Sequence, residues 1–120
     1  QTCALPIYEF EWAKKHNTIN KFDLNGLDDL ICELKEANLP VYFTVDLDVL
    51  DPSVFPGTGT PEPGGISYKK LQDAVIKVCG GLNIIAADVV ELCPHYDQSG
   101  ASTAIACKIL RELLLALSGR

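Results

Sequence analysis

Apolar residues recur along the chain at two different spacings, which predicts helices alternating with strands. Four of them lie at positions i, i+3, i+4 and i+7: Leu27, Leu30, Ile31 and Leu34. This spacing is typical of one face of an amphipathic helix. We expect the helix to begin after an Asn25 N-cap and to run to Ala37, before the Asn-Leu-Pro sequence at 38–40 ends it.

Two runs rich in β-branched and aromatic residues predict strands at 41–50 and 83–92. The first half of the earlier run is almost continuously apolar, as in parallel strands that are buried on both faces. Between the runs, Ser67 is expected to cap a helix that ends near Val78. A strand–helix–strand order predicts a parallel crossover.

The remaining pattern completes an α/β protein with a parallel sheet and flanking helices. Residues 9–16 are expected to be the end of a short helix, and Ser99 or Ser102 is expected to cap a final helix that runs to about Leu117. Residues 51–65 contain four prolines and four glycines, which favours a long loop. Loops of this length are often functional.

Charge and cysteine usage exclude several classes of protein. The 120 residues carry 10 Lys and Arg against 16 Asp and Glu, a net charge of −6. This balance disfavours nucleic-acid binding, which needs clustered basic side chains. No apolar run approaches the roughly 18 residues that span a bilayer. Five cysteines without a Cys-x-x-Cys pair indicate free thiols in a reducing cytoplasm.

The first seven residues show neither capping nor periodicity. Residues 1–7 resemble the in-frame translation of the end of a widely used sequencing adapter, so we expect them to be an artefact and exclude them from the fold. The protein domain is then expected to occupy residues 8–120.

Two acidic residues stand where the first predicted strand runs out. Alternation along a strand would place Asp46 and Asp48 on the same side. Ligands of parallel α/β sheets bind beyond the carboxyl ends of the strands. Paired carboxylates there suit a hard divalent cation such as Mg²⁺ or Mn²⁺. A frayed strand end, or capping of nearby backbone, is the alternative interpretation.

Other polar residues near this edge are open to two interpretations. Glu91 ends the second predicted strand, where its carboxylate would bind a guanidinium or form a salt bridge with Lys or Arg. Asp88 is a weaker candidate, and Asp51 is expected to cap the loop that follows it. His95 lies on a loop and His16 at a helix end, and neither is assigned any chemistry.

Three segments together resemble the ureohydrolase family of arginases and agmatinases. Residues 44–52 resemble its Ser/Thr-x-Asp-x-Asp-x-x-Asp-Pro signature, residues 56–65 the loop of the agmatinase branch, and residues 88–97 its next conserved block. The resemblance covers residues 8–120. It implies the carboxyl-terminal part of an arginase-like three-layer α/β/α domain.

The resemblance also implies an activity and its site residues. Such enzymes use two Mn²⁺ ions to hydrolyse a guanidino group to urea and an amine. Asp46 would bridge both ions, Asp48 would bind one, and Glu91 would hold the guanidinium of a small substrate. Agmatine is the leading candidate, with arginine, guanidinobutyrate and formimidoylglutamate open. The family usually forms homo-oligomers.

Two histidine-containing blocks of the family, Gly-Gly-Asp-His and Asp-Ala-His-x-Asp, normally precede Tyr8 and do not occur in this sequence. We therefore assign no catalytic residue to this chain and predict that it is inactive as given. The competing hypothesis is a non-catalytic α/β module that uses its acidic sheet end for protein contacts.

Overall fold

The computed structural model describes residues 7–16 and 23–119, and it contains an α/β arrangement around two parallel strands. In chain order the elements are α1 (Ile7–His16), α2 (Leu27–Ala37), β1 (Val41–Asp46), α3 (Tyr68–Gly81), β2 (Ile84–Val90) and α4 (Ala101–Leu117). Residues 1–6 of the expected artefact lie outside the described residues, so its status stays a prediction.

The two strands pair side by side, with α3 as the crossover between them. Pairing starts at Val41 with Ile84, slips by one residue, and then runs from Tyr42 with Ala86 to Asp46 with Val90. The predicted parallel sheet with flanking helices is thereby confirmed. Both strands finish at the same edge, so the residues that follow Asp46 and Val90 start close together.

One face of this sheet packs against α3 and α4 to form the core. The sheet contributes Phe43, Val45, Ala87 and Val89 to a cluster with Leu71, Val75 and Cys79 of α3 and Ala106, Ile109 and Leu113 of α4. These helical residues recur at intervals of three and four, which is the helical pattern that the burial of one face requires. Phe55, from the long loop, is fully buried in the same cluster.

The opposite face of the sheet carries polar side chains. The Asp88 carboxylate accepts hydrogen bonds from the hydroxyl of Tyr42 and from Thr44 Oγ1, the latter at 2.5 Å. These two hydroxyls hold the pKa of Asp88 below its usual value. Asp88 is thus a satisfied structural carboxylate.

Both predicted strands are too long. β1 ends at Asp46, and residues 47–49 turn into a short 3₁₀ helix because the Asp46 side chain caps it through the Asp48 amide. β2 ends at Val90, and Glu91 has a left-handed backbone with φ of 66°. The expectation that strand alternation aligns Asp46 with Asp48 is therefore wrong, although the two residues still touch.

The helix ends differ in part from the prediction. Asn25 is not the cap of α2, because Gly26 occupies the N-cap position in a left-handed conformation with φ of 84°. Ser67 does cap α3, its hydroxyl accepting from Lys70 N, but the helix continues to Gly81. The prediction that Ser99 or Ser102 caps α4 is wrong, because Gly100 occupies the N-cap position and Ser102 lies buried inside the first turn of the helix.

α2 lies against α3 at the surface, with none of its residues buried. Lys77 pairs with Asp28 at 2.8 Å, and Lys70 pairs with Asp23 just before α2. Such exposed pairs typically stabilise a fold by about 1 kcal/mol or less. Across the described ranges, every helix is too short or too polar to span a bilayer.

Candidate metal and substrate site

Asp46, Asp48 and Glu91 all lie at or just beyond the carboxyl ends of the two paired strands. The main-chain amide of Asp48 donates to Asp46 Oδ1 at 3.2 Å. Asp48 and Glu91 both act on Asp46 through their charges. The structure thus places Asp46 and Asp48 in direct contact and brings Glu91, which follows the neighbouring strand, close enough for its charge to act on Asp46.

The pKa of Asp46 reflects its partial burial and the negative charges near it. Partial burial, the side chain of Asp48 and the negative charges of Asp48 and Glu91 raise the pKa of Asp46, and the hydrogen bond from the Asp48 amide only partly offsets this. Like charges that share a site favour a proton or a cation between them. The arrangement suits a positively charged ligand.

The long loop supplies a further contact to the cluster. Thr60 Oγ1 donates to Asp48 Oδ2 at 2.8 Å, which leaves the other Asp48 oxygen available. Gly59 lies beside Glu91, and a Cβ built on Gly59 would be 3.9 Å from Glu91 Oε2. The segment around Gly59 therefore touches both the Asp48 and the Glu91 side of the site.

Glu91 has an uncommon backbone conformation for a residue with a side chain. Its φ of 66° places it in the left-handed region, which costs a non-glycine residue about 1 kcal/mol or more. Such conformations persist where the surroundings enforce them, and they cluster at functional sites. The exposed Glu91 carboxylate is aimed by this turn rather than by a strand.

The start of the loop is tied down by Asp51, as the sequence predicted for its capping role. Asp51 Oδ1 accepts from Ser53 N and Ser53 Oγ at 2.9 and 2.5 Å, and Oδ2 accepts from Gly64 N at 2.9 Å. These hydrogen bonds lower the pKa of Asp51. The loop is thus closed from residue 51 to residue 64.

A second carboxylate, Asp97, closes the turn that precedes α4, and this role was not predicted from the sequence. Asp97 Oδ1 accepts from Ser99 N and Ser99 Oγ at 3.0 and 2.6 Å, and Oδ2 accepts from Ser102 N at 2.7 Å. The same Asp-x-Ser sequence occurs at 51–53 and 97–99. That repetition is the signal that could have indicated a second Asx turn.

Neither histidine belongs to the cluster. His95 is an exposed residue of a short 3₁₀ helix, and its carbonyl accepts from Gln98 Nε2. His16 ends α1, and its ring lies 4.5 Å from the Trp12 ring.

Asp46 and Asp48 fit part of a metal site. They present hard carboxylate oxygens on adjoining residues, and the raised pKa of Asp46 is what a cation would relieve. Within residues 7–16 and 23–119, no three His, Cys, Asp or Glu side chains converge as a complete ligand set. A two-metal centre therefore requires ligands beyond these two aspartates.

Comparison with known proteins places this chain in a family. The arginase family model matches residues 3–116, nearly the whole chain. The chain therefore belongs to the arginase family.

Individual relatives agree with this placement. Agmatinase from Bacillus cereus is 46% identical over 110 residues, covering 89% of this chain and 37% of the relative. Guanidinobutyrase from Pseudomonas aeruginosa is 34% identical over 117 residues, covering 92% and 36%. A crystal structure of a Clostridium difficile protein superposes with a TM-score of 0.87 at 44% identity, covering 97% of this chain and 42% of that one. The chain thus spans well under half the length of these relatives.

Proposed function

We propose that this chain is the carboxyl-terminal part of a binuclear manganese ureohydrolase, most specifically an agmatinase that converts agmatine and water to putrescine and urea. The observation that carries the proposal is the position of Asp46, Asp48 and Glu91 at the carboxyl ends of the paired strands, where Asp48 contacts Asp46 and the charge of Glu91 acts on it. Membership of the arginase family and the similarity to agmatinases support it.

Each residue of the cluster has a distinct part in this proposal. Asp46 would contribute to holding both Mn²⁺ ions and Asp48 would contribute to holding one of them, with Thr60 Oγ1 orienting the Asp48 carboxylate by donating to its Oδ2. When bound, the metal pair supplies an activated water at neutral pH. The remaining metal ligands come from histidine-containing segments that this chain does not contain.

Glu91 holds the substrate in the same proposal. A carboxylate and a planar guanidinium can form two parallel hydrogen bonds, which fixes both distance and orientation. Glu91 lies in a left-handed turn beside Gly59, and its negative charge acts on Asp46. The guanidinium carbon would then lie near the metal-binding carboxylates, as attack by an activated water requires.

Agmatine is favoured over its analogues by the loop at 56–65, which resembles the agmatinase branch. The guanidinobutyrase from Pseudomonas aeruginosa shows that the family includes a relative named for another guanidino substrate. We further propose that the intact protein is a cytoplasmic homo-oligomer, in keeping with the family resemblance and the free thiols of the described cysteines.

The direct test is urea release by the full-length protein loaded with Mn²⁺, with agmatine, arginine and guanidinobutyrate compared in parallel. We expect kcat/KM for agmatine to exceed the other two at least tenfold. Preference for another guanidino compound would revise the substrate alone. Absence of urea from all three would refute the hydrolase function.

Glu91→Gln tests the substrate-binding role in the same protein. It keeps the shape of the side chain but removes the charge, and we expect kcat/KM to fall about 30-fold or more, equivalent to about 2 kcal/mol. Glu62→Gln is the matched control, since Glu62 is an exposed glutamate of the loop at 51–65. Equal losses in the two variants would contradict the role of Glu91.

A further inference from the structure

Gly57 joins the long loop to two other parts of the fold. Its amide donates to Ser102 Oγ at 2.9 Å, in the first turn of α4. Its carbonyl accepts from the Cys93 amide at 2.7 Å, two residues after Glu91. One residue thus connects the loop after β1, the turn after β2 and the start of the final helix.

Asp97 fixes the Ser102 end of this connection. Its Oδ2 accepts from the Ser102 amide at 2.7 Å, and Ser102 is completely buried. Side-chain hydrogen bonds from Ser99 and Ser102, together with the Ser102 amide, hold the pKa of Asp97 far below its usual value. A buried carboxylate with this many donors is a rigid anchor.

The packing around Gly57 leaves no room for a side chain at this position. A Cβ on Gly57 would lie 2.7 Å from Ser102 Cβ and 3.1 Å from Asp97 Cβ. The loop backbone is therefore seated directly on these two side chains. Next to it, Thr58 is also buried, at 2% exposure.

Residues 57–60, whose backbone lies against Asp97 and Ser102, make the two loop contacts to the candidate site. Thr60 donates to Asp48 Oδ2 at 2.8 Å, and Gly59 lies beside Glu91 Oε2. The Cys93 amide, bonded to Gly57, also restrains the turn that aims Glu91. A shift of Gly57 would move a hydrogen-bond partner of Asp48 and the neighbour of Glu91 together.

We infer that Asp97 and Ser102 are positioning residues, which hold residues 57–60 in place so that Thr60 orients Asp48 and Gly59 closes against Glu91. The side-chain hydrogen bonds of Asp97 and Ser102 go to one another, to Ser99 and to Gly57, and not to the proposed metal- and substrate-binding side chains. The kinetic consequence of this inference rests on the proposed function, whereas the structural consequence does not.

Two serine variants of the full-length protein separate positioning from stability. Ser102→Ala and Ser99→Ala each remove one hydroxyl that hydrogen-bonds to Asp97, but only Ser102 also accepts from Gly57. Hydrogen–deuterium exchange of a peptide covering residues 55–62 is measured by mass spectrometry. We expect exchange in Ser102→Ala to be at least fivefold faster than in Ser99→Ala. Asp97→Asn, which keeps the side-chain volume, should also accelerate it.

Kinetics of the same variants provide the second readout. We expect Ser102→Ala to lower kcat/KM for urea release about tenfold or more, with KM raised because Glu91 is displaced, while Ser99→Ala stays within about threefold of the parent. Equal exchange rates and equal kinetics in the two serine variants would overturn the inference.

The two proposals fail in different ways. If the parent protein releases no urea but the exchange rates differ as expected, the hydrolase function is wrong and the anchoring of residues 57–60 stands. If the parent is active but Ser102→Ala behaves as Ser99→Ala does in both measurements, the function stands and the positioning role is wrong. If Ser102→Ala does not fold, Asp97→Asn is compared with Ser99→Ala by the same criteria.

Discussion

The amide of Asp48 donates to Oδ1 of Asp46 at 3.2 Å, so the main chain itself sets the spacing of the two proposed metal ligands. This contact exists because β1 stops at Asp46 and turns into a 3₁₀ helix. A continuing strand would have separated the side chains by two residues of extended chain. The turn instead brings both carboxylates to the sheet edge that Glu91 also reaches.

Asp46→Ala in the full-length protein is predicted to remove bound manganese and activity together. The bridging carboxylate would contribute to both ions, and even the partners behind metal ligands typically cost 10- to 100-fold when lost. We therefore expect activity to fall by about 100-fold or more. Metal content by mass spectrometry of the dialysed protein, alongside urea release, checks this.

Asp88→Asn is the matched control for that experiment, because Asp88 lies on the same face of the sheet and is satisfied by Tyr42 and Thr44. Its metal content should equal that of the parent.

Asp48→Asn in the full-length protein separates the enzyme from a non-catalytic interaction module. A non-catalytic module would tolerate Asn at position 48, whereas a metal site would lose affinity for Mn²⁺.

The 120-residue chain is predicted to release no urea from agmatine on its own, even with added Mn²⁺. Asp46 and Asp48 supply too few ligands for two ions, each of which needs several donors. Purified chain and full-length protein should be assayed side by side for urea under identical conditions. Metal-dependent urea release by the chain alone would show that its own residues complete the site.

Much of the fold was accessible from the sequence because its signals are local. The i, i+3, i+4 pattern predicted α2, and the β-branched runs predicted both strands and their parallel crossover. The exact ends were harder to predict. Asn25 and Gly26 are both acceptable N-caps, and the left-handed φ of Gly26 decided the outcome.

The candidate site likewise contains features that the sequence predicted and a contact that it did not. Asp46, Asp48 and Glu91 were predicted because each follows an apolar strand, and parallel strands end at one edge. The contact between Gly57 and Ser102 joins residues 45 positions apart. No periodicity encodes such a contact, and it becomes visible only when α4 packs on the core.

The stability provided by Asp97 is predicted to depend on pH. Its folded-state pKa is lowered by hydrogen bonds from Ser99 and Ser102, while the unfolded chain has an ordinary aspartate pKa of about 3.9. The stabilisation is therefore fully present above about pH 4 and is lost as the pH falls through the folded-state pKa. Urea unfolding of the parent chain and of Asp97→Asn should give midpoints that differ most near pH 7 and converge as the pH falls toward 2. A midpoint difference that stays constant across this range would contradict the assignment.

Gly65→Ala is predicted to destabilise the purified chain, because Gly65 lies directly against the backbone at the end of the signature segment. A Cβ there would lie 2.6 Å from both Val49 O and Leu50 C, atoms that cannot rotate away. Overpacking of this kind typically costs about 1–3 kcal/mol, and the upper end is expected where backbone must move. Movement of this backbone would also break the neighbouring β-bridge between Leu50 and Ile66.

Gly80→Ala is the matched control, since a Cβ at this α3 position meets nothing within 4 Å. Alanine is the better helix former, so this variant should be more stable than the parent chain by about 0.5–1 kcal/mol. Urea denaturation followed by circular dichroism measures both free energies of unfolding. Opposite signs are expected for the two substitutions, because one glycine is required by close backbone contact and the other is not. A Gly65→Ala chain as stable as the parent would mean that the loop is not seated on residues 49–51 as described.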